Sequence, residues 1–169
     1  MADFKTAVLI TIDDAHEGGF QNDYNDHANW SGGIIGVGAL VGTKYGITTL
    51  DMPGAVIKDI TPDMAIGYYA AHYWKTLYAQ IDDQNVANKL FDMGVLFGVG
   101  TAVRILQLSL EISEDGVFGP NTLAAVNLSD PTSLLTTYKA NLVTHAFNIG
   151  AANPAERSNV ADWGRRINS

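Results

Sequence analysis

The chain changes character at residue 61. Residues 18–60 are crowded with glycine, asparagine, aspartate and threonine, whereas beyond them a helix-start signal heads almost every apolar run. A capping oxygen and a proline at the first helical position satisfy or remove the amide groups that a helix leaves unpaired at its N-terminus. Thr61-Pro62-Asp63 supplies this combination for a helix running to about residue 80, and Asp82 or Asp83 caps the next, which carries VANKLFDMGVLFG. Thr101 opens TAVRILQLSLEI, Asn121-Thr122 a short helix, and Asp130-Pro131 a longer one through TSLLTTYKANLVTHAFNIG, with a turn or two more in the tail. Upstream, Phe4, Ala7, Val8, Ile12 and Ala15 keep helical spacing over 3–16, and Gly18-Gly19 stops that helix. The β-prone pieces, 45–50 and 55–60, are short. The pattern predicts a mainly α protein with one small irregular or β lobe near the N-terminus.

With 169 residues, 47% of them hydrophobic and 17% charged, the chain is long and apolar enough to bury a core. It has no cysteine, which excludes disulfides, thiolate metal sites and a cysteine nucleophile. A formal charge of −8 argues against nucleic acid as a partner, since phosphate binding needs a basic face. The first 19 residues do not resemble a secretion signal: the apolar stretch is short and flanked by Asp3, Asp13 and Asp14. The most apolar stretches, 32–42 and 93–103, fall short of the roughly 18 residues of a membrane span.

The chemistry concentrates in DDAHEGGFQNDYNDHANW, residues 13–30. Glu17 stands where the first helix is expected to stop. A carboxylate there faces the negative end of the helix dipole, which disfavours its charge and suits a general acid. Asp23 and Asp26 follow within nine positions, and paired carboxylates across a cleft are the machinery of glycoside hydrolysis. An Asx-rich turn is the structural alternative for both aspartates. Trp30, Tyr45, Tyr69, Tyr73 and Trp74 could offer ring faces to sugars, with packing in the core as the structural alternative. His16, His27, His72 and His145 show no metal spacing, GGIIGVGALVGTK lacks the Gly-Lys-Ser/Thr ending of a phosphate loop, and no serine sits in a G-x-S-x-G elbow. Arg165-Arg166 reads as a solvated tail or a contact for anionic wall polymer.

EGGFQNDYND (17–26) followed by TKYGIT (43–48) resembles the signature of glycoside hydrolase family 108, the N-acetylmuramidases, whose members read E-G-G-Y-x-N-D-x-x-D and then G-G-x-T-x-x-G-I-T. AIGYYAAHYWKTL (65–77) and LFDMGVLFGVGTAVRILQ (90–107) are similar to later stretches of the family. EDGVFGPNTLAAV (114–126) resembles the D-G-x-x-G-P-x-T loop of a small peptidoglycan-binding domain, and DWGRRI (162–167) the closing G-W-x-x-R. Two departures stand out. The segment 27–42 is longer than its family counterpart and is expected to be an apolar flap or extended hairpin, and Leu96 replaces an asparagine.

The resemblance implies a lysozyme-like helical fold, with a catalytic region over 1–96 and a peptidoglycan-binding-like helical region over 97–169 packed with it. It implies cleavage of the β-1,4 bond from N-acetylmuramic acid to N-acetylglucosamine, without a cofactor or metal. Carried over by position, Glu17 is the catalytic acid. Asp26 is the second acid with Asp23 in reserve, and Thr43 or Thr48 is the hydroxyl that holds water. Asp23, Tyr45, Thr48, Tyr73 and Trp74 are the expected substrate contacts. The implied setting is a monomeric phage or prophage endolysin, made in the cytoplasm without a signal peptide, exported by a holin and acting on glycan strands of the wall. A lytic transglycosylase and a wall-binding or secretion-associated protein without turnover are the alternatives. Retention or inversion of the anomeric centre stays open.

Overall fold

The computed structural model describes residues 1–13 and 18–169. Among these residues seven α-helices accompany one two-stranded sheet: α1 (Phe4–Thr11), β1 (Phe20–Gln21), β2 (Thr43–Lys44), α2 (Pro62–His72), α3 (Gln84–Phe97), α4 (Val99–Ser109), α5 (Pro120–Leu128), α6 (Pro131–Ala152) and α7 (Val160–Asn168). The mainly α reading with a small β lobe holds. The chain divides into two compact units, Val8–His72 on its own and Met1–Ala7 together with Tyr73–Ser169.

In the larger unit the capping residues do what their chemistry predicts. Asp83 accepts a hydrogen bond from the Val86 amide at 3.0 Å and Asp130 from the Ser133 amide at 2.9 Å, fixing the starts of α3 and α6. Pro120 and Pro131 occupy the first turns of α5 and α6, where no amide is needed. Leu90 and Met93 of α3, Val103 and Leu106 of α4, and Tyr138 and Leu142 of α6 are fully buried in one core. Each such side chain contributes about 1.5–3 kcal/mol by leaving water. Because α3 and α4 share this core, residues on either side of position 97 fold as one body.

Three boundaries differ from expectation. The α1 helix ends at Thr11, not at residue 16: Thr11 and Ile12 are β-branched, two aspartates follow, and such residues propagate a helix poorly. The α2 helix ends at His72, and the chain passes through extended Lys75 (φ −90°, ψ 143°) into a 3-10 turn, Thr76–Gln80, that buries Tyr78. The run Tyr73-Trp74-Lys75-Thr76 favours helix too weakly to resist that burial. Gly98 (φ 85°), not Thr101, marks the break before α4.

The smaller unit has a core of its own: Ile47, Ile57, Ile60 and Ala65, flanked by Tyr45, Met52 and Tyr68. The pieces 45–50 and 55–60 do not pair as strands. Ile47 makes a single bridge to Lys44, and Ile57–Asp59 is a 3-10 turn, because burying the three isoleucines together requires turns at Gly46 and Gly54. The longer segment 27–42 closes on itself through an antiparallel bridge from Trp30 to Leu40, as expected of a hairpin.

Candidate active site

The smaller unit builds its polar centre from β1, β2 and the turn between them. The strands pair antiparallel with Phe20 opposite Lys44 and Gln21 opposite Thr43. Gly42 makes the pairing possible. Its φ is 83°, and a Cβ there would lie 2.5 Å from the Phe20 ring and 2.6 Å from the Gln21 carbonyl oxygen, so no side chain fits.

Asp26 caps the 3-10 turn His27–Asn29. Its Oδ1 accepts the Ala28 amide at 2.9 Å and its Oδ2 accepts Gln21 Nε2 at 3.0 Å. Thr43 is buried, and its hydroxyl donates to the Ala28 carbonyl at 3.3 Å. Gln21 and Ala28 thus each touch both residues: Gln21 pairs with Thr43 along the strand and holds Asp26 with its side chain. Asp26 and Thr43 share these two partners, the carboxylate held from both oxygens and the hydroxyl half spent on a carbonyl. A threonine oxygen still has a lone pair with which to accept from water.

Asn29 stitches this turn to the rest. Fully buried, it donates from Nδ2 to Gln21 Oε1 at 3.1 Å and to the Asp23 carbonyl at 3.0 Å, while its own carbonyl takes the Val41 and Gly42 amides. Asn29 Oδ1 has no hydrogen-bond partner among the described residues. Asp23 is exposed, and its Oδ1 accepts the Asn25 amide at 2.9 Å, an Asx turn.

The remaining expected contacts divide. Tyr45 adopts φ 53°, its amide donates to Gly19 at 3.3 Å, and its carbonyl accepts the Tyr69 hydroxyl at 2.7 Å. Thr48 is occupied by a local network: its hydroxyl donates to Asp51 Oδ2 at 2.7 Å and accepts the Leu50 amide, while Tyr68 donates to Asp51 Oδ1 at 2.9 Å. Thr43 is therefore the better placed of the two threonines. Trp30 and Tyr69 are buried, which removes them as stacking platforms: the Trp30 indole donates to the Tyr24 carbonyl at 2.9 Å. Tyr73 and Trp74 belong to the other unit, where the half-buried Trp74 ring meets Phe4, Tyr78 and Phe91 at 5.3–5.8 Å. Glu17, the expected acid, and His16 lie outside the described residues. Sequence reasoning missed Gln21 and Asn29, whose roles come from the strand register rather than from any local pattern.

The family profile described as Glycosyl hydrolase 108 matches residues 12–98. The chain belongs to glycoside hydrolase family 108. It is thus a glycoside hydrolase, and the match takes in Glu17, the Asp26–Thr43 assembly and Trp74, and stops one residue before α4. No curated protein is similar enough in sequence to be matched. Among solved structures, one described as Brucella abortus SagA superposes with a TM-score of 0.69 over 97% of this chain and 92% of its own, at 22% identity, a likeness of fold.

Two more distant stretches of this family 108 enzyme are structural. Asp92, in LFDMG, receives Arg166 of the closing GRRI through Nη2 at 2.8 Å and Nε at 3.1 Å, with Lys89 Nζ 4.0 Å away. Arg166 is accordingly no solvated tail residue. Arg165 is exposed and pairs with Asp162. Burial lowers the Lys89 ammonium to about 8, and Asp92 partly offsets it. The D-G-x-x-G-P-x-T loop is tied round buried Gln107. That side chain donates to Asp115 Oδ1 at 2.7 Å and Thr122 Oγ1 at 3.0 Å, and accepts the Gly116 amide at 2.9 Å. Alongside, Thr101, Arg104, Glu114, Asn141, His145 and Asn148 line an open recess of 430 Å³, where burial lowers the His145 imidazole.

Proposed function

We propose that the chain is a peptidoglycan N-acetylmuramidase that cuts the β-1,4 bond from N-acetylmuramic acid to N-acetylglucosamine. Membership of family 108 supports a peptidoglycan hydrolase. The observation that carries the finer reading is the Asp26–Thr43 assembly, in which a carboxylate of fixed orientation shares its partners Gln21 and Ala28 with a hydroxyl able to accept from water. Glu17 donates the proton to the leaving oxygen. Asp26 opposes the positive charge at the anomeric carbon or orients the attacking water, and Thr43 holds that water. Asp23, Tyr45 and Thr48 border the sugar, and Tyr73 and Trp74 offer further ring surface. Residues 97–169, with the polar recess beside Arg104, hold a second stretch of glycan. In this reading the protein is a phage or prophage endolysin that reaches the wall with a holin's help.

The test is digestion of purified peptidoglycan with the products read by mass spectrometry. Reducing N-acetylmuramic acid ends are expected. Anhydro ends would make the protein a lytic transglycosylase, and binding to sacculi without products would leave a wall-binding protein.

A further inference from the structure

The loop 30–40 exposes more aliphatic surface than any catalytic role described above uses. Ile34 is 61% exposed, Ile35 47% and Val37 49%, and Leu40 lies beside them in sequence, also exposed. Leu50, 64% exposed, adjoins the loop: its Cδ1 lies 3.0 Å from where a Cβ on Gly33 would stand. Soluble proteins leave large aliphatic side chains exposed singly, and a cluster of them marks a surface made to be covered. Sugar is a poor candidate, because sugars are met by rings and hydrogen-bonding groups, and the tip offers neither.

Three observations favour lipid. Between Asp26 and Lys44 the sequence has no aspartate, glutamate, lysine or arginine, in a chain of formal charge −8. The base of the loop is closed by its own hydrogen bonds: the Ser31 amide donates to Ala39, Gly32 to Val37, Gly33 to Trp30 and Val37 to Ile34, and the Ala39 amide donates to Ser31 Oγ. Backbone groups paired in this way enter an apolar phase at little cost. Beneath the aliphatic tip stand exposed Phe20 and Tyr24, the latter packed edge-on against Trp30 at 5.0 Å. Aliphatic side chains at the tip with amphipathic rings below match the depth profile of a bilayer boundary. The amides of Ile34, Ile35 and Gly36 make no backbone hydrogen bond among the described residues, which limits the tip to the hydrated headgroup level.

We propose that the loop 30–40 is a lipid-contact element, which seats Ile34, Ile35, Val37 and Leu40 at the headgroup–acyl boundary of an electrically neutral bilayer. The chain's negative charge works against anionic lipid, and the uncharged loop makes the contact by apolar burial. It would hold the enzyme at a membrane face without a spanning segment; no described helix is long and apolar enough to cross one.

The experiment is flotation of the whole protein with phosphatidylcholine vesicles, comparing wild type with Ile34→Asp and Ile35→Asp, at low and high salt. Wild type should float with the vesicles to the same extent at both salts, because apolar burial is not screened. Each variant should lose at least tenfold in vesicle affinity while keeping its unfolding temperature and its hydrolysis of purified peptidoglycan. Wild type left behind with the free protein overturns the proposal. So does binding that only anionic vesicles support. A mass in solution that doubles with concentration and reverts in Ile35→Asp would assign the loop to a second copy of the chain instead. Loss of hydrolysis in the variants with vesicle binding intact would return the loop to the catalytic cleft. The vesicle measurement involves no turnover, so its failure is distinct from failure of the muramidase reading.

Discussion

Two neighbouring arginines in the last helix should respond to the same substitution with very different magnitudes. Arg166 and its partner Asp92 keep only 10% and 5% of their side-chain surface, whereas Arg165 and Asp162 keep 75% and 66%. Removing one member of a buried pair leaves the other charge without compensation and costs about 3–5 kcal/mol, while an exposed pair is worth roughly 0–1 kcal/mol. In a chain of this size about 2–4 °C of melting temperature accompanies each kcal/mol. Arg166→Ala should therefore lower the unfolding midpoint by roughly 6–20 °C, and Arg165→Ala by no more than about 4 °C. Thermal unfolding followed by circular dichroism reads both. A further handle is Lys89, whose ammonium is lowered to about 8 by burial and by Arg166 among its neighbours. Its folded value lies below the ordinary 10.5, so the cost of keeping it charged is present below pH 8 and is relieved as pH rises from 8 to 10.5. Wild-type stability contributed by this residue rises over that window. In Arg166→Ala the Lys89 value moves up and the window narrows, which lysine-detected NMR titration can follow. Replacing both partners, Asp92→Leu with Arg166→Met, should recover most of the loss. Equal effects of Arg165→Ala and Arg166→Ala would refute the burial argument.

Further outcomes follow from the site and the loop of the larger unit. Gly42→Ala places a Cβ against the Gln21 carbonyl at positive φ, and should destabilise the smaller unit by at least about 2 kcal/mol and abolish hydrolysis, as read by urea unfolding and reducing-end release. Gln107→Leu leaves the Gly116 amide and Asp115 without their partner and should cost about 2–4 kcal/mol, visible in the same unfolding experiment. Asp3, Asp115 and Asp130 are held below the ordinary 3.8, chiefly by the amides of Thr6, Val117 and Ser133. Their contribution is complete above that value and is lost as pH falls through their lowered folded values, so Asp115→Asn should flatten the acid limb of a stability–pH curve.

The helical part of the fold was legible because its signals are local. A capping aspartate and a first-turn proline act within four residues, and Asp83, Asp130 and Pro131 sit where such signals place them, while α5 starts at Pro120, just ahead of the expected Asn121-Thr122. What was not legible depends on distant residues. The Asp92–Arg166 pair spans 74 positions, and the knot round Gln107 joins the end of α4 to a loop eight to fifteen residues on. The motif letters were visible in both cases, but not that they meet. In the candidate site, Asp26 and Thr43 were singled out by resemblance. Gln21 and Asn29 were not, because only the register of a two-residue strand pair shows what a glutamine side chain reaches. The end of α1 was not legible either: hydrophobic spacing continued to Ala15, while the helix ends at Thr11, before the two aspartates.

The central claim is that Glu17 and the Asp26–Thr43 assembly form one hydrolytic site. It is tested most directly by the rate of reducing-end release from purified peptidoglycan for wild type, Glu17→Gln and Asp26→Asn, each with its unfolding midpoint. A positioned general acid is worth about 10²–10⁴-fold, so Glu17→Gln should fall by that factor with its midpoint unchanged, and Asp26→Asn by at least about tenfold. A folded Glu17→Gln protein that releases reducing ends at the wild-type rate would contradict the account.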